Sequence, residues 1–191
     1  MEKILKAISS NTPKRIMAID ASTNSIAFAM FENKELVFHG KINFYGSTTY
    51  QKVVDAAAKC RAFFKQIGEI DAIVIEHTVF MNSPRTAADL ALVQGAALGA
   101  ASIKLIRSVA PITWQNYIGN KKMSKEEKFA IRKQYPDKSE SWYKKYERDL
   151  RKDKTIHFVE IQYDKVISDN DVADAVGIGH YAINNWEGLT K

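Results

Sequence analysis

Asp20 ends one short apolar run, Ile16-Met17-Ala18-Ile19, and Glu76 ends another, Ala72-Ile73-Val74-Ile75. Further along, Asp171 and Asp174 stand three residues apart at the start of a helical apolar pattern, so they share one face about one turn apart. Each acid also has an ordinary structural explanation. An acid at a strand end is commonly a solvated residue or a turn former, and Asp169 or Asp171 could cap the last helix and complement its dipole. Asp174 is harder to explain in that way, because it lies one turn inside, between Ala173 and Ala175. Four carboxylates gathered at neutral pH require either raised pKa values or bound cations. Oxygen-only ligands favour Mg²⁺, with Mn²⁺ as a substitute, over zinc. Two such ions, roughly 3.5–4 Å apart, can activate water and stabilise the leaving oxygen of a phosphodiester displacement. That chemistry needs no histidine or cysteine nucleophile.

The elements that must position these acids can be read from periodicity. Residues 15–20, 26–31 and 36–44 form three apolar or alternating runs. Short turns at 22–25 and 32–34 separate them, which predicts an antiparallel meander. Residues 50–67 carry apolar positions at helical spacing, 70–75 form a fourth strand, and 86–103 a second helix rich in Ala and Leu. Gly95 and Gly99, four apart in that helix, suggest a face that packs closely on a sheet or another helix. A fifth strand at 105–109 stops before Pro111. Amphipathic segments follow at 112–118 and 124–135, the second opened by a Ser124-x-x-Glu127 capping box, and 169–186 is the last helix. The order β-β-β-α-β-α-β-α-α predicts an α/β fold, a mixed five-stranded sheet built from the meander plus βαβ units and flanked by helices, as in the ribonuclease H-like fold. In it the first and fourth strands are central neighbours with the last helix beside them, so the four acids converge.

With 191 residues the chain fits one domain, 1–191. Residues 133–157 stand apart: Lys, Arg, Asp, Glu, Tyr and Trp replace aliphatic residues there, which marks an inserted, exposed helical arm. The single cysteine, Cys60, excludes a disulfide framework and a multi-cysteine zinc site, and its helical apolar context points to a buried thiol. His39, His157 and His180 have no metal-ligand spacing, while His77, directly after Glu76, stands near the acids or on the surface. No stretch approaches the roughly 20 apolar residues of a membrane span, and the first residues lack a signal-peptide pattern. A soluble cytoplasmic protein without membrane association is expected. The net charge of +6 favours a polyanionic partner such as nucleic acid.

The motifs then meet a family. Ile16-Met17-Ala18-Ile19-Asp20 with Ser22-Thr23-Asn24-Ser25 resembles the first motif of RuvC-type Holliday junction resolvases. Ile75-Glu76-His77-Thr78-Val79-Phe80-Met81, with the helix after it, resembles the second, and Asp171-Val172-Ala173-Asp174-Ala175 the closing Asp-x-x-Asp-Ala motif. The resemblance implies a homodimer that binds four-way DNA junctions and nicks two strands symmetrically, with Asp20, Glu76, Asp171 and Asp174 holding two Mg²⁺ ions. It places Phe80 near the aromatic that stacks at the junction, although one extra residue separates it from Glu76 and a core phenylalanine is the alternative. Lys125 falls where the family has a phosphate-contacting lysine, but Trp114 stands in place of a second. Lys121 and Lys122, and Lys144, Lys145 and Arg148 in the arm, are further DNA-contact candidates. Cations interleaved with Tyr135, Trp142, Tyr143 and Tyr146 suit phosphate and base contact, although the acids among them would equally suit a solvated helix. An arm of this kind suits a phage or otherwise divergent member. A less selective branched-DNA or flap nuclease and a non-cleaving DNA-binding protein are the competing readings.

Overall fold

A computed structural model describes residues 13–77, 83–103 and 105–189 of the chain. Three strands open it: β1 (Arg15–Ala21), β2 (Ser25–Glu32) and β3 (Glu35–Asn43). The β2–β3 turn is two residues long, and both Asn33 and Lys34 adopt positive φ (50° and 75°), the conformation that matches a tight hairpin to strand twist. Helix α1 (Thr49–Ile67) leads to β4 (Ala72–Glu76), α2 (Pro84–Ala101) to β5 (Ile106–Val109), and α3 (Pro111–Tyr117), α4 (Lys125–Gln134), α5 (Glu140–Tyr163) and α6 (Asn170–Asn184) follow. A 3-10 turn, Trp186–Gly188, ends the described chain. The expected order holds through β5, after which four α-helices stand where the simplest layout has two.

The sheet runs β3-β2-β1-β4-β5, antiparallel across the first three strands and parallel from β1 to β4 to β5. Alternation divides its core between two faces. Met17, Ile19, Ile26, Phe28 and Met30 meet α1 and α2 on one side. Ile16, Ala18, Ala27, Ala29, Phe31 and Val74 meet α6 on the other. Small residues on the α6 face of β1 and β2 let the helix lie close. Its own Gly179 is required there, since a β-carbon would fall 2.1 Å from the Phe31 ring. Helix α5 packs outside α6, burying Thr155 and Val159.

One local expectation changes. Gly95 and Gly99 do not mark a packed face: a β-carbon on either would meet nothing within 4 Å, and Val93 and Ala97 bury α2 instead. Glycine spacing alone cannot say which way a helix is turned. Residues 133–157 span the end of α4, a turn and most of α5, whose helix runs on to Tyr163. Their aromatic rings pack on one another: Trp142 stacks on Tyr146 with centroids 5.3 Å apart and lies 5.1 Å from Tyr135. Arg132 makes a two-pronged contact to Glu140 at 2.5 and 2.7 Å, and Lys128 reaches Glu147 at 2.9 Å, joining α4 to α5. Cys60 is fully buried, and burial pushes its thiol up to about 12, as a structural thiol requires.

Candidate active site

Sheet register places the first two acids. Ile19 pairs with Ile75 across the parallel β1–β4 ladder, so Asp20 and Glu76 follow as neighbours at adjacent strand ends. Both point toward α6, because Ala18 and Val74, two residues earlier on their strands, pack in the α6-side core. The α6 N-terminus supplies the other two. Asp169 is its N-cap, accepting the backbone N–H groups of Asp171 at 2.9 Å and Val172 at 3.2 Å. Capping therefore falls to Asp169, and Asp171 and Asp174 remain on the helix face turned to the sheet.

The proton affinities report how close the groups are. Asp20 is raised well above the ordinary carboxylate range, first by burial and then by the charges of Glu76, Asp174 and Asp171. Burial and the charges of Glu76 and Asp171 push Asp174 up to about 7, against the opposing pull of the Thr155 hydroxyl and Lys152. Glu76 is raised by burial, offset in part by Trp114 and by the charge of Arg151. The four acids thus act on one another electrostatically.

Three neighbours of that site are not evident from the sequence. Trp114, 1% exposed on α3, donates its indole Nε1–H to Glu76 Oε1 at 2.8 Å and fixes that carboxylate's orientation. Thr155 on α5 faces Asp174 and is held by Asn120, whose Nδ2 donates to Thr155 Oγ1 at 2.9 Å and to the Arg151 carbonyl at 2.8 Å. The third is Lys41 on β3. Asp20 lies opposite Ala27, and Ala27 opposite Lys41, so the three form one row across the sheet with side chains on one face. Lys41 passes over the small Ala27 and donates to Asp171 Oδ2 at 2.5 Å and Asp169 Oδ2 at 3.1 Å. Its own pKa is raised by these bonds despite the opposing effect of burial. The Lys41 signal was faint: a lysine in the alternating third strand, readable only with the register known.

The DNA-contact candidates divide. Arg148, with Arg151 and Lys152, lines a cleft that also contains Thr155 and Asp174 and so adjoins the acids. Arg151 Nε is buried there without a hydrogen-bond partner among the described residues. Lys121, Lys122 and Lys125 are exposed in the α3–α4 connection and at the start of α4. Lys144 and Lys145 are exposed nearer the start of α5, in clefts shared with Glu147 and with Asp149, respectively. Phe80 lies outside the described residues. His77 is exposed, while the half-buried His180 meets the Tyr163 hydroxyl at 2.7 Å.

The donor set suits a hard divalent cation: all oxygen, partly buried, and mutually repelling when ionised. Among the described residues, no three acid, histidine or cysteine groups are gathered tightly enough to enclose an ion as they stand. Lys41 supplies the positive charge at Asp171 instead.

Sheet order, strand direction, and acids at the ends of β1 and β4 facing the α6 N-terminus define the ribonuclease H-like fold. Within that class the architecture is similar to that of solved RuvC resolvases. Thermus thermophilus RuvC in complex with a Holliday junction substrate superposes with a TM-score of 0.63 at 12% identity, covering 92% of this chain and 98% of that one. A second Thermus thermophilus RuvC structure gives 0.61 at 14% identity, covering 93% and 98%. The yeast mitochondrial Holliday junction resolvase Ydc2 gives 0.50 at 12%, covering 98% and 85%. No protein-family model and no curated protein sequence matches the chain. At these identities the likeness concerns the fold.

Proposed function

We propose that this protein is a metal-dependent endonuclease that resolves four-way DNA junctions by paired symmetric nicks. The observation that carries the reading is the shared electrostatic site of Asp20, Glu76, Asp171 and Asp174, bordered by a cationic cleft. The fold is that of a protein whose structure contains a Holliday junction substrate, which favours branched DNA over other phosphodiesters. Asp20, Glu76, Asp171 and Asp174 would hold two Mg²⁺ ions, replaceable by Mn²⁺. When bound, these ions would supply an activated water and charge stabilisation at the leaving oxygen.

The chain's own residues prepare that chemistry. Trp114 holds Glu76 by one carboxylate oxygen. Thr155 opposes proton uptake by Asp174, against the larger effects of burial and Glu76. Arg148, Arg151 and Lys152 attract the backbone phosphate beside the acids. These α5 cations compensate for the tryptophan at the position of a family lysine. Lys121, Lys122, Lys125, Lys144 and Lys145 extend the basic surface. Residues 1–191 act as one nuclease domain in this reading, with 133–157 an added arm that lengthens the DNA contact. A homodimer supplies the second site that paired nicks require.

The test is Mg²⁺-dependent cleavage of a labelled immobile four-way junction beside a flap and a linear duplex. Paired symmetric nicks on the junction are expected. Equal cutting of junction and flap would favour a general branched-DNA nuclease, and no cutting at high protein concentration would favour a non-cleaving binder. Asp20→Asn should abolish cleavage while junction binding survives.

A further inference from the structure

Lys41 lies at the acidic site without belonging to the carboxylate set, and its placement is specific. The row Asp20, Ala27, Lys41 aims it along the same sheet face as Asp20, and the alanine between leaves the passage its side chain uses. Its ammonium meets two acids on a different element, Asp169 and Asp171 at the α6 N-terminus. Asp169 is already engaged with backbone N–H groups, so Lys41 is not needed to satisfy the cap. Asp171 Oδ2 is the atom it approaches most closely, at 2.5 Å. A carboxylate oxygen bound to an ammonium has that much less to offer a divalent ion, and an ion beside the ammonium meets like-charge repulsion.

We propose that Lys41 is a positioning residue that competes with a divalent cation for Asp171. It holds Asp171 in place while the site carries no ion, and it must swing away from Oδ2 before that carboxylate can complete a metal site. Lys41 bonds directly to Asp169 and Asp171 and acts on Asp20 only as a nearby charge, so the Lys41 displacement applies to the ion that uses Asp171. The site is thereby set to fill stepwise, with the second cation bound more weakly than the first. This proposal rests on the metal-dependent reading given above.

The experiment is calorimetric titration of Mn²⁺ into the full chain at low salt, comparing wild type, Lys41→Met and Lys41→Arg. Methionine retains an unbranched apolar side chain and removes the charge; arginine keeps the charge. Lys41→Met should bind the weaker Mn²⁺ about tenfold more tightly, the order expected from removing one charge-assisted competitor, and Lys41→Arg should stay within about threefold of wild type. Thermal melting checks folding independently. Metal-free Lys41→Met should melt below wild type, because the β3–α6 bridge is lost, yet gain more from saturating Mn²⁺. Wild type that binds Mn²⁺ with no tightening in Lys41→Met overturns this proposal alone. If neither protein binds Mn²⁺, the metal-dependent reading falls with it. Should Lys41→Met not fold, Lys41→Gln is read by the same criteria.

Discussion

Replacing Asp174 by asparagine isolates the electrostatic centre of the proposed site, because the amide has similar size and no charge at any pH. In the folded protein the Asp174 carboxyl is pushed from 3.8 up to about 7. Below pH 3.8 it is protonated in folded and unfolded chains alike and contributes nothing to pH dependence. Between 3.8 and about 7 the folded protein keeps a proton that the unfolded chain releases, so stability falls as pH rises. Each pH step of one across that window costs about 1.4 kcal/mol, which makes the loss about 4 kcal/mol at most, reduced by the solvent that reaches this partly exposed carboxylate. Above about pH 7 the penalty is constant. Urea unfolding of wild type and Asp174→Asn in chelator, at pH 4 and pH 8, measures the difference directly, and general acid effects cancel between the two proteins. The asparagine variant should gain several kcal/mol relative to wild type between those pH values, by about the amount just derived. Relief of Asp20, which Asp174 also raises, acts in the same direction. With saturating Mg²⁺ at pH 8 the order should reverse in part, because wild type gains binding energy that the variant cannot. A difference that stays constant with pH would refute the charge cluster and return Asp174 to a structural role.

The supporting residues make separate predictions. Trp114→Phe keeps most of the buried ring but leaves Glu76 without its donor; it should cost about 1–3 kcal/mol of stability. Because Trp114 orients a proposed ligand, the same variant should weaken Mn²⁺ binding about tenfold or more in titration. Gly179→Ala forces a methyl group against Phe31 and should destabilise by about 1–3 kcal/mol in urea unfolding, without changing the pH dependence. Arg148→Gln should weaken junction binding and reduce the slope of log affinity against log salt by about 0.9, while leaving metal-free stability near wild type. An unchanged salt slope would remove Arg148 from the phosphate-contact surface.

Local physics made much of this protein legible from residues alone. Alternation and short turns specify the meander, apolar runs broken by Asp20 and Glu76 specify strands that end in acids, and the caps at Ser124 and Asp169 act within a few residues of themselves. The three-residue spacing of Asp171 and Asp174 sets their shared face before any packing occurs. Tertiary structure decided what depends on register and on which way a helix is turned. Lys41 reaches Asp171 across 130 residues of sequence only because β3 pairs with β2, β2 with β1, and a small alanine lies between. Trp114 and Thr155 join the site because α3 and α5 pack around α6, contacts that no periodicity encodes. The same cause explains the misread glycines of α2, whose spacing is a local property while the surface they face is not. The carboxylates are written in the sequence; the cation that opposes them and the donors that orient them come from long-range pairing and packing.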